Sequence, residues 1–253
     1  MSLNGTTRTQ AERADQTRTR ILASAIRAFS ENGLAGARTE QIAEAAGVNK
    51  ALLYYYFHGK EALYSAALET VAQGVVAASI AALETGRSAG ERLVRFALNH
   101  FDRIHSQRGF QSLMQQEMMR LHRGEENALT PIGETVFRPM MLRLLKVYAE
   151  GRRSAELIRV EEMQLMYAAL GANVFYFLSA PVMGMLRGAD LFTRGALEHR
   201  RRAAIEYLGQ TIFIDRKHGA RVAARILKET PMPKGLNGRL KKNVTARNKA
   251  RGL

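Results

Sequence analysis

Residues 39–57 read TEQIAEAAGVNKALLYYYF, and the side chains there that could do chemistry are nearly all hydrogen-bond donors. Lys50 can donate to guanine O6/N7 or to a phosphate, and Asn49 can cap a helix and donate to a phosphate. Ala51 is small enough to let a helix approach closely and touch a thymine methyl. Tyr54 and Tyr55 offer hydroxyls to phosphates on flat stems of low entropy, and Thr39 can bind the backbone through its hydroxyl. Arg38, just before it, suits a phosphate-facing charge. Lys60 stands in the expected first turn of a helix, where the macrodipole disfavours a cation unless a phosphate sits there too. The chemistry of catalysis is missing. The chain has no cysteine, and it shows no glycine-rich phosphate loop, nucleophile elbow or Glu-paired His on a helix, so no enzyme is expected. His100 and His105 are five apart, off the i, i+4 face that a shared metal needs, so neither metal nor cofactor is expected.

These donors need a scaffold. Ala43, Gly47 and Leu53 supply what a helix-turn-helix requires: a small residue at the close approach, a turn residue tolerant of positive φ, and an apolar anchor for the second helix. Ile42, Val48 and Phe57 supply buried bulk. Three successive tyrosines span about 200° of a helix, so one must face inward; Tyr56 lies nearer the Leu53 side, which leaves Tyr54 and Tyr55 for DNA. The preceding helix carries Ile21, Leu22, Ala25, Ala28 and Phe29 on one face and stops at Gly33. Thr39 is expected to cap the supporting helix and Asn49 the recognition helix, Lys50 to Tyr56. Arg8, Arg13, Arg18 and Arg20 suit a minor-groove arm and an ordinary solvated N-terminus equally well.

The segment IAEAAGVNKALLYYYFHGKEALY resembles the DNA-binding segment of the tetracycline-repressor (TetR) family of bacterial transcriptional regulators. The resemblance runs over about residues 17–64, from the helix ending Phe29 to Leu34 through Lys60-Glu61-x-Leu63. It departs where Asn49 replaces the usual Ser and where Tyr56 replaces a frequent His. It implies an all-α protein: a three-helix DNA-binding domain over 1–64 and an antiparallel helical bundle over 65–228 that binds ligand and dimerises. It further implies a cytoplasmic homodimeric repressor on double-stranded operator DNA, released by a small, mostly apolar effector through population shift. The alternative is an architectural or cell-division DNA-binding protein of the same fold with no such effector.

Beyond residue 64 the reading rests on pattern. Helices are expected near 59–84, 90–106, 109–122, 127–152, 157–179 and 193–228, with a kink at Pro139 and a stop at Pro181 and Gly184. Residues 100–185 are rich in Met and aromatics, which adapt to varied partners. Phe101, Phe110, Met114, Met118, Phe137, Met141, Tyr167, Asn173 and Phe177 are the candidate lining of an effector pocket, with Gln115, Gln116 and Glu117 as further polar candidates. Arg200, Arg201 and Arg202 are expected at a rim or in solvent. The longest purely apolar stretches are far too short to span a bilayer, so no membrane partner is expected. The net charge is +15, but residues 1–64 hold only +2 of it, 65–214 hold +3, and 215–253 hold +10. Residues 229–253 are therefore expected to be a disordered basic tail that adds sequence-independent affinity.

Overall fold

The computed structural model describes residues 9–233, which are all-α, and they divide into two compact units. One takes in the chain to Thr85 together with Gln107–Val147; the other takes Gly86–Ser106 and the chain from Tyr148. Within the first unit, packing groups residues 9–64 with later helices. The basic segment from 234 onward and Arg8 lie outside the described residues.

The first unit is built on α1 (Gln10–Gly36), α2 (Thr39–Ala45), α3 (Lys50–Phe57), α4 (Lys60–Glu84), α6 (Arg108–His122) and α7 (Leu129–Ile132). A capping box opens α1: the Thr9 hydroxyl accepts from the Glu12 N–H, and the Glu12 carboxylate accepts from the Thr9 N–H at 2.7 Å. Arg13, Arg18 and Arg20 are thus helical, not a minor-groove arm. The face Ile21, Leu22, Ala25 and Phe29 meets Leu63, Tyr64, Ala67 and Leu68 of α4 and Leu113 of α6. The rings of Phe29 and Tyr64 meet edge to face at 5.1 Å. Gly33 leaves the helix at φ 68°, as a C′ glycine should, and the chain then makes one more turn to Gly36. Glu117 is fully buried and accepts from the Ala128 N–H at 2.6 Å and from Arg120 at 3.1 Å. It fastens a loop and is not a free polar group for an effector. The expected kink at Pro139 takes the form of a π-turn, Gly133–Phe137, just before α8 (Arg138–Arg153), where the missing N–H is absorbed.

The second unit holds α5 (Ala89–Ser106), α9 (Glu162–Met166), a π-turn (Tyr167–Gly171), α10 (Ala172–Arg187), α11 (Arg194–Thr211) and α12 (Arg216–Glu229). Three expectations need correction here. Residues 157–160 are extended, not helical: Leu157 bridges Phe213, and the Tyr148 hydroxyl donates to the Val160 carbonyl and accepts from its N–H, each at 2.8 Å. The same bridge interrupts the long helix expected over 193–228, and Asp215 caps the new start, accepting from the Lys217 and His218 N–H groups. Pro181 does not end its helix. The buried face Phe177, Ala180 and Gly184 outweighs one lost backbone bond, and α10 runs on to Gly188 at φ 62°. Helices α11 and α12 pack so closely that a Cβ on Gly219 would collide with the Gly209 carbonyl oxygen.

Arg201 is also corrected. It is buried, and it grips Asp102 of α5 through Nε at 2.7 Å and Nη2 at 2.8 Å while donating to the Thr230 carbonyl. Two helical stretches, Lys60–Glu84 and Glu162–Arg187, are long and apolar enough to cross a membrane by length and composition alone, though neither is purely apolar. Glu69, Gln73 and Ser79 interrupt the first apolar run, and Asn173 and Ser179 the second. In the first, Leu63, Tyr64, Ala67 and Leu68 are spent on the core of its unit.

Candidate nucleic-acid interface

Helices α2 and α3 meet through Ile42, Ala43, Ala46, Leu53 and Phe57, all buried, with Val48 packed beside them. The turn depends on Gly47. Its φ is 65°, and an added Cβ would come no nearer than 3.6 Å to Arg20, so conformation and not space demands glycine. The Val48 N–H then reaches back to the Ala43 carbonyl at 3.0 Å. Asn49 caps α3 as expected, its Oδ1 accepting from the Leu52 N–H at 2.7 Å, which leaves its amide NH2 to donate outward. Thr39 does not cap α2. It is the first helical residue, behind Arg38, and its buried hydroxyl lies 3.3 Å from the Tyr54 hydroxyl.

With Leu53 and Phe57 pointing inward, α3 presents Ala51 and Tyr55 on its outer face and Lys50 exposed at its N-terminal end. Tyr55 is 74% exposed, whereas Tyr54 and Tyr56 are half-buried against the core. The angular argument therefore places Tyr55 well. It divides the other two wrongly, because Tyr54 also leans inward to tie α3 to α2 through Thr39. The Tyr54 ring lies beneath the Lys50 ammonium, 5.5 Å from it.

Lys50 is not free. Its Nζ is 2.5 Å from Glu40 Oε1, across the gap between the two short helices. That hydrogen bond holds the Glu40 carboxyl below the usual range and the Lys50 ammonium above its own. Lys60 shows how a cation survives in a first turn: it donates to the Ala35 carbonyl at 3.2 Å, at the negative end of α1. Its remaining N–H groups can still meet a phosphate. Arg38 is exposed. Two features escaped sequence reasoning. Glu40 is ten residues from Lys50, a spacing that signals nothing, and Arg18 stacks over Phe57 at 5.3 Å.

The arrangement is a small, donor-rich convex face, with its anchors buried behind it and one carboxylate set against its principal cation. A family model described as bacterial regulatory proteins, tetR family, matches residues 21–67, and one described as a tetracyclin repressor-like C-terminal domain matches 87–208. The chain belongs to the TetR family. Over 62 residues it is 44% identical to the HTH-type transcriptional repressor NicS of Pseudomonas putida, spanning 24% of this chain and 29% of that protein. Over 51 residues it is 55% identical to the HTH-type transcriptional regulator RutR of Escherichia coli, spanning 20% and 24%. The chain thus matches only about a quarter of the length of these curated relatives. The TetR fold itself extends much further. A structure from Saccharomonospora viridis described as a transcriptional regulator in complex with choline superposes with a TM-score of 0.62 at 19% identity, over 79% of this chain and 98% of that one. A TetR/AcrR-family regulator from Thermobifida fusca gives 0.56 at 22% identity, over 76% and 95%.

In this TetR-family chain the nine candidate pocket residues are shared between the two units. Phe110, Met114, Phe137 and Met141 belong to the first unit, the first three packed against its core, and Met118 there is exposed. Phe101 and Phe177 form part of the second unit's core, with their rings 5.2 Å apart, and Tyr167 is exposed. Of the nine, Asn173 lines a cavity of about 400 Å3 in the second unit.

Proposed function

We propose that this chain is a DNA-binding transcriptional regulator acting in the cytoplasm as a homodimeric, effector-released repressor of double-stranded operator DNA. The observation that carries the reading is α3, whose anchors Leu53 and Phe57 are buried while Lys50, Ala51 and Tyr55 stand outward behind an Asn49 cap. That is the geometry by which a recognition helix enters the major groove N-terminus first. Arg38, Thr39, Asn49, Tyr54 and Lys60 flank it as backbone contacts, Thr39 and Tyr54 through a shared hydroxyl pair.

A dimer is supported by the outward stripe of α10, where Val174, Phe175, Leu178, Val182, Met185 and Leu186 are exposed. An uncovered apolar surface of that length marks an interface, and a two-fold pair would set two recognition helices about one DNA turn, ~34 Å, apart. A small effector is supported by the partly open cavity, and a neighbour of the same fold holds choline. The cavity weighs against a purely architectural role.

The test is fluorescence anisotropy on DNA from upstream of the chain's own and neighbouring genes. Lys50→Ala and Tyr55→Ala are expected to weaken binding at least tenfold without loss of helicity. Unchanged affinity in both variants would sink the assignment. Phe175→Glu with Leu178→Glu is expected to give a monomer in sedimentation; a persistent dimer would remove this face from the interface.

A further inference from the structure

Arg200 and Arg201 are consecutive, and the fold treats them differently. Arg201 is satisfied by Asp102 and the Thr230 carbonyl. Arg200 lines the cavity in the second unit and has no carboxylate within ion-pair distance among the described residues. It is stacked over Tyr176 at 5.4 Å and spends one Nη2 hydrogen on the Ala172 carbonyl at 3.0 Å, while its buried Nε–H has no acceptor. The residue after Ala172 is Asn173. It lines the same cavity, is only 2% exposed, and its buried Oδ1 has no donor.

Leaving two such groups unmet is costly, because each gave up water on folding. Gln164, Tyr207 and Thr211 add neutral polar groups to a wall that is mostly apolar, formed by alanines of the π-turn with Leu165, Ile205, Leu208 and Ile212, and no acidic side chain lines it. A charge without a counter-ion, an acceptor without a donor and a mostly oily wall without an acid define a ligand. The volume falls near the small end of the range for organic-ligand sites, about 300–1,000 Å3.

We propose that this cavity binds a small, mostly apolar monocarboxylic acid that carries one hydrogen-bond donor. The carboxylate takes the Nε/Nη2 edge of Arg200, the same fork by which Arg201 holds Asp102, and the donor meets Asn173 Oδ1. The proposal rests on the reading that the chain answers to a small effector, and it names that effector's class. Burial lowers the Arg200 pKa, against an opposing Tyr176 contribution, and a bound anion would relieve that cost.

The test is calorimetric titration of the full chain without DNA, using hexanoate, benzoate and 4-hydroxybenzoate, each paired with its alcohol. At least one acid is expected to bind, at least about tenfold more tightly than its alcohol, one such factor being the scale of a lost charged pair. Arg200→Gln should erase the preference for acid over alcohol, and Arg200→Lys should restore part of it. Asn173→Leu should erase the preference of 4-hydroxybenzoate over benzoate. Should Arg200→Gln lose helicity, Ala204→Phe serves as a second variant, filling the cavity and abolishing binding. No acid bound, or acids and alcohols bound alike, would overturn the proposal. Release from DNA is measured separately. An acid that binds without releasing DNA contradicts the repressor reading and leaves the site standing, whereas release by a compound that ignores Arg200 contradicts the site alone.

Discussion

Glu40 is placed to oppose DNA binding, and removing its charge should strengthen it. The Glu40 carboxylate lies 2.5 Å from the Lys50 ammonium, and both side chains are about half exposed or more. An exposed pair of this kind adds little to folding, so the fold loses little in Glu40→Gln. Bound DNA sees more. Lys50 must leave Glu40 to reach a phosphate or a guanine, and the carboxylate then faces the polyanion at close range. One fully engaged phosphate contact contributes about 0.9 to the slope of log affinity against log salt, or about threefold between 50 and 200 mM. Glu40→Gln should therefore raise affinity about threefold more at 50 mM than at 200 mM, through one more effective contact, and steepen the salt slope toward one further unit. Lys50→Gln should do the reverse, and in its presence Glu40→Gln should gain much less. The assay is anisotropy of the four variants on one labelled duplex at several salt concentrations. If Glu40→Gln weakens binding, Glu40 is positioning Lys50 and not restraining it. If its gain is the same with and without Lys50, the two do not act as a pair.

Three further outcomes follow from the packing and the charge. Arg201→Met strands the Asp102 carboxylate and should cost about 3–5 kcal/mol in urea unfolding, followed by far-UV circular dichroism because the chain has no Trp; Asp102→Leu/Arg201→Met should recover most of the loss, and a double variant as weak as the single one would refute the account. Burial lowers the His100 pKa from 6.5 to about 4, so the unfolded chain binds the proton first as pH falls. That contribution is intact above pH 6.5 and is lost between 6.5 and 4, about 3 kcal/mol in all, and His100→Gln should flatten that part of the pH–stability curve. Deleting residues 234–253, which hold seven Lys and Arg and no acid, should lower the salt slope of DNA binding and keep sequence preference; an unchanged slope would leave the tail without a part in affinity.

What the sequence made legible was what local chemistry decides. Gly47 at positive φ, Asn49 as a cap and Leu53 as an anchor each follow from one residue's own conformational or hydrogen-bonding needs, and the structure has all three. The inward lean of Tyr54 was not legible because an angle on a helix cannot report a partner on another helix, and Thr39 supplied one. Arg201 was misread for the same reason: a charged residue on a patterned helix looks solvent-facing until a partner far along the chain is known, here Asp102, 99 residues away. Glu117 looked open to an effector until its acceptance from the Ala128 N–H was known. Pro181 was read by its local penalty, and burial of its neighbours overrode it. Composition alone does not say which compact unit each of the pooled aromatics and methionines serves.

The two units suggest where effector and DNA could speak to each other. α5, whose Ala97 lines the cavity, is followed by α6 after a single residue, Gln107. α6 is then packed into the DNA-binding unit at very short range. A Cβ on Gly109 would run into Ser30 of α1, and one on Gly33 would lie 2.9 Å from the Gln116 side chain. Contacts so tight transmit displacement instead of absorbing it. A ligand that shifts α5 therefore has a covalent route, one residue long, to the helix that braces α1, and α1 carries the core on which α2 and α3 rest.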